Sequence, residues 1–119
     1  MEIHSSFPQM VPKSILGTET LTEKQISLIL DNAFAMKAHQ EARTLPQSLV
    51  GKTIILLFFE PSTRTRSSFE LATKNLGGNT LVLTKEASSS EKGETLYDTA
   101  RTIQAMSPDL LVLRHPSAG

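Results

Sequence analysis

Apolar residues fall into two kinds of run along this chain. Ile26, Ile29, Leu30, Ala33 and Phe34 recur at helical spacing. They follow Thr22-Glu23-Lys24-Gln25, the form of a capping box, in which the hydroxyl and the glutamine side chain each satisfy a backbone group that the first turn leaves open. The spacing predicts a helix from Thr22 to about Ala38 with that stripe buried. Thr53-Ile54-Ile55-Leu56-Leu57-Phe58-Phe59, by contrast, is apolar without alternation and too short for an independent helix, which suits a parallel strand covered on both faces. Beyond it, Phe69, Ala72 and Leu76 share one helical face that Gly77-Gly78 terminates, and Leu81-Val82-Leu83 reads as a second strand. Leu96, Ala100 and Ile103 mark the core stripe of a helix opened by Glu94 and closed before Pro108, and Leu110-Leu111-Val112-Leu113 is a third strand ending at Arg114. Residues 1 to about 19, with Pro8 and Pro12, read as an extended lead-in, and 39–52 and 85–93 as polar connections.

The resulting order, β-α-β-α-β, predicts an α/β domain of three layers, helices packing on a central parallel sheet through right-handed crossovers. With 119 residues, a single domain spanning 1–119 is the expectation, and 39% hydrophobic with 20% charged residues fits a globular protein. Twelve basic and twelve acidic side chains cancel, so no global field draws the chain to nucleic acid or to a membrane surface, and an anion site has to be built locally. Zero cysteines exclude disulfides, thiolate metal sites and cysteine nucleophiles, and favour a reducing compartment. The amino terminus lacks the pattern of a signal peptide, and cytoplasmic location is the expectation. The longest apolar run, Ile54 to Phe59, has six residues, against the ~20 that span a bilayer.

In open α/β sheets, ligands collect beyond the carboxyl ends of the strands. Three features of the sequence lie there. The first is Pro61-Ser62-Thr63-Arg64-Thr65-Arg66, at the start of a helix whose free N–H groups and dipole already favour an oxyanion. Two arginines are mildly unfavourable in that position unless an anion compensates them, and each offers a rigid two-pronged donor. The glycine-rich nucleotide loops are absent. The residues alone leave open a plainer reading, in which Ser62 or Thr63 only caps the helix and the arginines are solvated. The second feature, Ser88-Ser89-Ser90-Glu91-Lys92-Gly93-Glu94, reads either as a surface loop or as one whose ammonium reaches an anion. The third, Arg114-His115-Pro116, is suited to polarising a carbonyl or holding a phosphate, yet is also compatible with simple exposure. His4 and His39 read as surface residues, and no ligand spacing supports a metal.

Taken together, Phe59-Glu60-Pro61-Ser62-Thr63-Arg64-Thr65-Arg66-Ser67-Ser68-Phe69-Glu70, Lys92-Gly93-Glu94-Thr95 with Asp98-Thr99, and Arg114-His115-Pro116 resemble the aspartate carbamoyltransferase family, from about Thr20 to the end of the chain. Ser-Thr-Arg-Thr-Arg is shared with ornithine carbamoyltransferase, whereas the serine and lysine loop and Arg-His-Pro point to the aspartate branch. The resemblance implies that Ser62, Thr63, Arg64 and Thr65 hold the phosphate of carbamoyl phosphate, with Thr65 and Arg114 also approaching its carbonyl oxygen. It implies transfer of the carbamoyl group to L-aspartate in pyrimidine biosynthesis, with no cofactor, no metal and no covalent enzyme intermediate. Ser88 and Lys92 are then expected to reach into a neighbouring subunit's site in a homotrimer, and regulatory or pathway-enzyme partners remain open. Against the family pattern, the sheet is expected to be incomplete at its carboxyl end and the aspartate-binding domain absent, so that residues 1–119 alone do not turn over. A non-catalytic phosphate-binding or assembly module is the alternative from another class.

Overall fold

A computed structural model describes residues 10–85 and 96–117. The chain divides into two compact units, Met1–Pro46 and Gln47–Gly119. In the first, a short 3-10 turn at Thr18–Thr20 precedes helix α1, Glu23–Ala42. Its capping box forms as the sequence suggests: the Gln25 amide donates to Thr22 Oγ1 at 3.1 Å, and the Thr22 amide to Gln25 Oε1 at 2.9 Å. The helix runs four residues past the expected end at Ala38, through His39-Gln40-Glu41-Ala42. Gln, Glu and Ala are good helix formers, but a polar turn has no apolar rhythm to announce it. It stops where Arg43 turns left-handed at φ 57.

The second unit holds the sheet. Strand β1, Thr53–Phe58, lies between β2, Asn79–Thr84, and β3, Leu110–Arg114, all parallel. Helix α2, Thr63–Asn75, connects β1 to β2, and helix α3, Leu96–Ala105, precedes β3. One crossover runs from the centre to one edge and the other returns past the centre, so right-handed connections put α2 and α3 on opposite faces of the sheet. Both faces of β1 are accordingly buried. Ile55, Leu57 and Phe59 pack with Ile103 of α3, while Ile54, Leu56 and Phe58 pack with Leu49, Val82 and Val112. The unbroken apolar run of β1 is explained by this position, whereas Leu110, Leu111 and Leu113 on the edge strand β3 stay exposed.

The ends of the elements are tied down. After α2, Gly77 adopts φ +86, the Gly78 amide donates to the Thr73 carbonyl and the Gly77 amide to that of Lys74, a Schellman ending of the kind Gly77-Gly78 suggests. A Cβ on Gly77 would come within 2.8 Å of Gln47 and Val50. Residues 47–49 complete the cap: the Leu49 amide donates to the Leu76 carbonyl at 3.0 Å and Gln47 Nε2 to that of Asn75 at 3.0 Å. At the amino end of the sheet Asp109 clasps Thr53, its amide donating to the Thr53 carbonyl and its carboxylate accepting from the Thr53 amide, both at 2.9 Å.

The helix faces correct the sequence reading. In α1 the residues turned inward are Asn32 and Ala35, while Ile26, Leu30 and Phe34 are exposed. In α2 Thr73 is buried, Phe69 is exposed at 43%, and Ala72 is also exposed. In α3 Thr99 joins Ile103 in the interior, and Leu96 and Ala100 point outward. The expected stripes were counted on apolar residues, but the interior accepts a polar side chain that bonds within its own helix. Asn32 Nδ2 donates to the Leu28 carbonyl and Thr73 Oγ1 to that of Phe69, each at 2.9 Å. Once satisfied in this way, these groups are buried at little cost. The opening of α3 at Glu94 lies outside the described residues.

Candidate functional site

Phe58 is the register point of the site, paired with Thr84 on one side and Arg114 on the other. The ladders continue one step further, with the Phe59 amide donating to the Arg114 carbonyl at 2.8 Å and the Lys85 amide to that of Phe58 at 2.9 Å. The loop leaving β1 therefore rises between the carboxyl ends of two flanking strands. Glu60-Pro61-Ser62 makes the turn, and α2 begins at Thr63.

Ser62 occupies the N-cap position but its side chain makes no capping hydrogen bond, unlike Thr22 at the start of α1. The first intrahelical bond runs from the Arg66 amide to the Ser62 carbonyl, so the amides of Thr63, Arg64 and Thr65 have no acceptor within the helix. The first turn of α2 carries no acidic residue, whereas α1 has Glu23 and α3 has Asp98 in that position. A helix start with free amides, an unengaged hydroxyl and two arginines is arranged for an anion and not for self-capping.

On the β3 side, Arg114 Nε donates to Glu60 Oε1 at 2.7 Å and its Nη1 lies 3.4 Å from Thr65 Oγ1. Side chains 54 and 49 residues apart in sequence thus meet at one point. His115 stacks at a tilt on Phe59, ring centroids 4.9 Å apart. The Ser117 amide donates to His115 Nδ1 at 3.0 Å, which places the hydrogen of the neutral ring on Nε2.

On the β2 side lies an open cleft of about 280 Å³, lined by Phe59, Glu60, Pro61, Ser62, Thr63, Arg66, Thr84 and Lys85. Of the residues the sequence suggests, Ser62 and Thr63 line this cleft, and Thr65 and Arg114 meet at its β3 flank. Arg64 is exposed on the first turn of α2 and is not among the cleft-lining side chains. Ser88 and Lys92 lie outside the described residues. Glu60, Thr84 and Lys85 were not singled out from sequence; the available signal was their position at or just beyond the end of a strand. Among the described residues no group of three or more His, Cys, Asp or Glu side chains could hold a metal ion, and no helix is long and apolar enough to cross a membrane.

Residues 13–119 match the family described as aspartate/ornithine carbamoyltransferase, carbamoyl-P binding domain. The aspartate carbamoyltransferase catalytic subunit of Desulforapulum autotrophicum is 52% identical over 109 residues, 90% of this chain and 35% of that protein. Its counterpart from Koribacter versatilis is 50% identical over 108 residues, 91% and 34% of the two chains. Among solved structures, aspartate transcarbamoylase from Trypanosoma cruzi in complex with carbamoyl phosphate superposes with a TM-score of 0.82 at 39% identity, covering 98% of this chain and 37% of that one. The catalytic subunit of M. jannaschii aspartate transcarbamoylase gives 0.79 at 42% identity, with 89% and 35% covered. The chain spans about a third of the length of these relatives.

Proposed function

Because the chain belongs to the aspartate/ornithine carbamoyltransferase family, within its carbamoyl-phosphate-binding domain, we propose that it provides the carbamoyl-phosphate site of an aspartate carbamoyltransferase. The reaction is transfer of the carbamoyl group to L-aspartate, giving N-carbamoyl-L-aspartate and phosphate, a step of pyrimidine biosynthesis in the cytoplasm. The observation that carries the reading is the meeting of Arg114, at the end of β3, with Thr65, 49 residues earlier on the first turn of α2, beside the open amides of that helix start.

The chemistry follows from those donors. Ser62, Thr63, Arg64 and the amides at the start of α2 take the phosphate oxygens. Arg114 Nη1 and Thr65 Oγ1 are close enough to share the carbonyl oxygen. The α-amino nitrogen of aspartate forms a bond to the carbonyl carbon, negative charge grows on the oxygen, and fixed donors aimed at that oxygen lower the barrier. The carbon–oxygen bond to phosphate then breaks, its electron pair leaving with phosphate, and the amine gives up a proton. Arginines at the phosphate stabilise the charge that develops there.

Ser88 and Lys92 complete the site from a neighbouring subunit in this reading, which makes a homotrimer the working assembly. Formation of carbamoylaspartate by the intact protein, with no product from ornithine, is the expected result; carbamoylation of ornithine instead would move the protein to the other branch. Arg64→Ala is expected to weaken carbamoyl phosphate by about 1.5 to 3 kcal/mol, the scale of a charged hydrogen bond, in titration calorimetry. Lys92→Ala and Arg64→Ala subunits, mixed and reassembled, are expected to regain some activity at sites where both intact halves meet. Absence of rescue in a reassembled mixture argues against a shared site.

A further inference from the structure

We propose that His115 is a positioning residue, whose ring, packed on Phe59, holds the end of β3 so that the Arg114 guanidinium stays aimed at the start of α2. The inference rests on the carbamoyl-phosphate reading above, which gives Arg114 a role and leaves the histidine beside it without one.

The need for an anchor follows from where Arg114 stands. It is the last residue of β3, which among the described residues pairs on one side only, and strand ends are where local opening costs least. Its own side chain is a weak hold. The ion pair with Glu60 is open to solvent, and 3.4 Å to Thr65 is long for a hydrogen bond.

His115 supplies the hold from the other face of the sheet. Along an extended chain successive side chains point to opposite faces. Arg114 reaches Thr65 of α2, and His115 turns to the face on which Phe59 packs with Ile103 of α3. The two rings lie 4.9 Å apart with 55° between their planes, the geometry of a tilted aromatic pair. Phe59 is only 6% exposed, and its amide donates to the Arg114 carbonyl at 2.8 Å. The surface that the histidine grips is therefore itself fixed, and it is the root of the loop that leads to α2. On its other side, His115 Nδ1 accepts the Ser117 amide at 3.0 Å across Pro116, which turns the chain away directly after the ring, as an Asx turn does. A rotation of the strand end that swings the guanidinium away from Thr65 has to break the ring pair. His115 is not among the residues lining the cleft, which fits a residue that acts through its neighbour and not on the ligand.

The test asks whether the histidine works through the arginine. In the intact protein, His115→Asn removes the ring and keeps an acceptor for the Ser117 amide, while His115→Phe keeps the ring and removes the acceptor. Each is assayed for carbamoylaspartate formation and titrated with inorganic phosphate by calorimetry, and its melting temperature is followed. Phosphate has no carbonyl oxygen for Arg114 to meet, so His115→Asn is expected to bind it as wild type does while kcat/KM for carbamoyl phosphate falls about tenfold or more. His115→Phe is expected to keep most of the wild-type kcat/KM. In an Arg114→Ala background, His115→Asn is expected to change kcat/KM by less than about twofold, since the group that it positions is gone. Wild-type kcat/KM in His115→Asn overturns the proposal. So does an undiminished loss in His115→Phe or in the Arg114→Ala background, either of which has the histidine acting on the substrate itself. Phosphate binding and folded fraction that fall in step with activity overturn it too, since they make His115 a plainly structural residue. A wild-type protein that forms no carbamoylaspartate overturns the functional reading itself, whatever the variants do.

Discussion

Replacing Arg114 by lysine keeps the charge at the end of β3 and removes the geometry. In the structure the guanidinium serves two directions at once: Nε reaches Glu60 Oε1 at 2.7 Å, and Nη1 lies 3.4 Å from Thr65 Oγ1, toward the start of α2. An ammonium on a flexible stem has no fixed fork, so one drawn to Glu60 is no longer positioned for the ligand. In the proposed site the lost interaction is one charge-assisted hydrogen bond to carbamoyl phosphate, about 1.5 to 3 kcal/mol. That corresponds to a fall of roughly 10- to 100-fold in carbamoyl-phosphate affinity or in kcat/KM. Stability should barely change. The Arg114 and Glu60 side chains are 44% and 31% exposed, and an ion pair so open to solvent is worth at most ~1 kcal/mol. Calorimetric titration with carbamoyl phosphate, paired with denaturant unfolding, reads both quantities. Wild-type affinity in a folded Arg114→Lys protein would refute the idea that direction, and not charge alone, matters at this position.

Ser62→Ala and Thr22→Ala place the same kind of change at two helix starts with opposite expected results. Thr22 caps α1 and its loss should cost about 0.5 to 2 kcal/mol in denaturant unfolding, whereas Ser62 makes no cap bond and its loss should weaken phosphate binding with a far smaller effect on stability. Equal destabilisation of both would mean that Ser62 is a cap after all. Leu56→Ala, at a side chain with no exposed surface in the centre of β1, should cost about 2 to 5 kcal/mol by the same measurement. A loss under 1 kcal/mol would contradict the two-sided burial of that strand.

How far the sequence alone reached depended on whether a feature was local. The continuous apolar run of β1, the capping box at Thr22 and the Gly77-Gly78 helix ending each depend on neighbours a few residues away, and each forms in the structure where the residues suggest. Helix α2 starts one residue after Ser62, so the loop and its place at a helix start were also readable. The faces of the helices were not. Asn32 and Thr73 look polar in a sequence and are buried, because a side chain that bonds inside its own helix presents mainly carbon to its surroundings; Thr99 is buried as well. Nor was the pairing of Glu60 with Arg114 readable. It joins residues 54 positions apart and depends on Phe58 and Arg114 sharing a rung of the sheet, which no local pattern encodes.

That shared rung gives the clasp at Asp109 a consequence for the ligand end of the sheet. Asp109 grips Thr53 where β1 and β3 begin, and five residues later, roughly 16 Å along the strand, β3 delivers Arg114 beside Phe58. A strand is ruled in steps, and an edge strand that slipped by one residue would present His115 or Leu113 at that rung and turn Arg114 to the opposite face of the sheet. Asp109 therefore works as the zero mark of a ruler whose reading is taken at the proposed carbamoyl-phosphate site. A substitution there would misplace an arginine that it never touches.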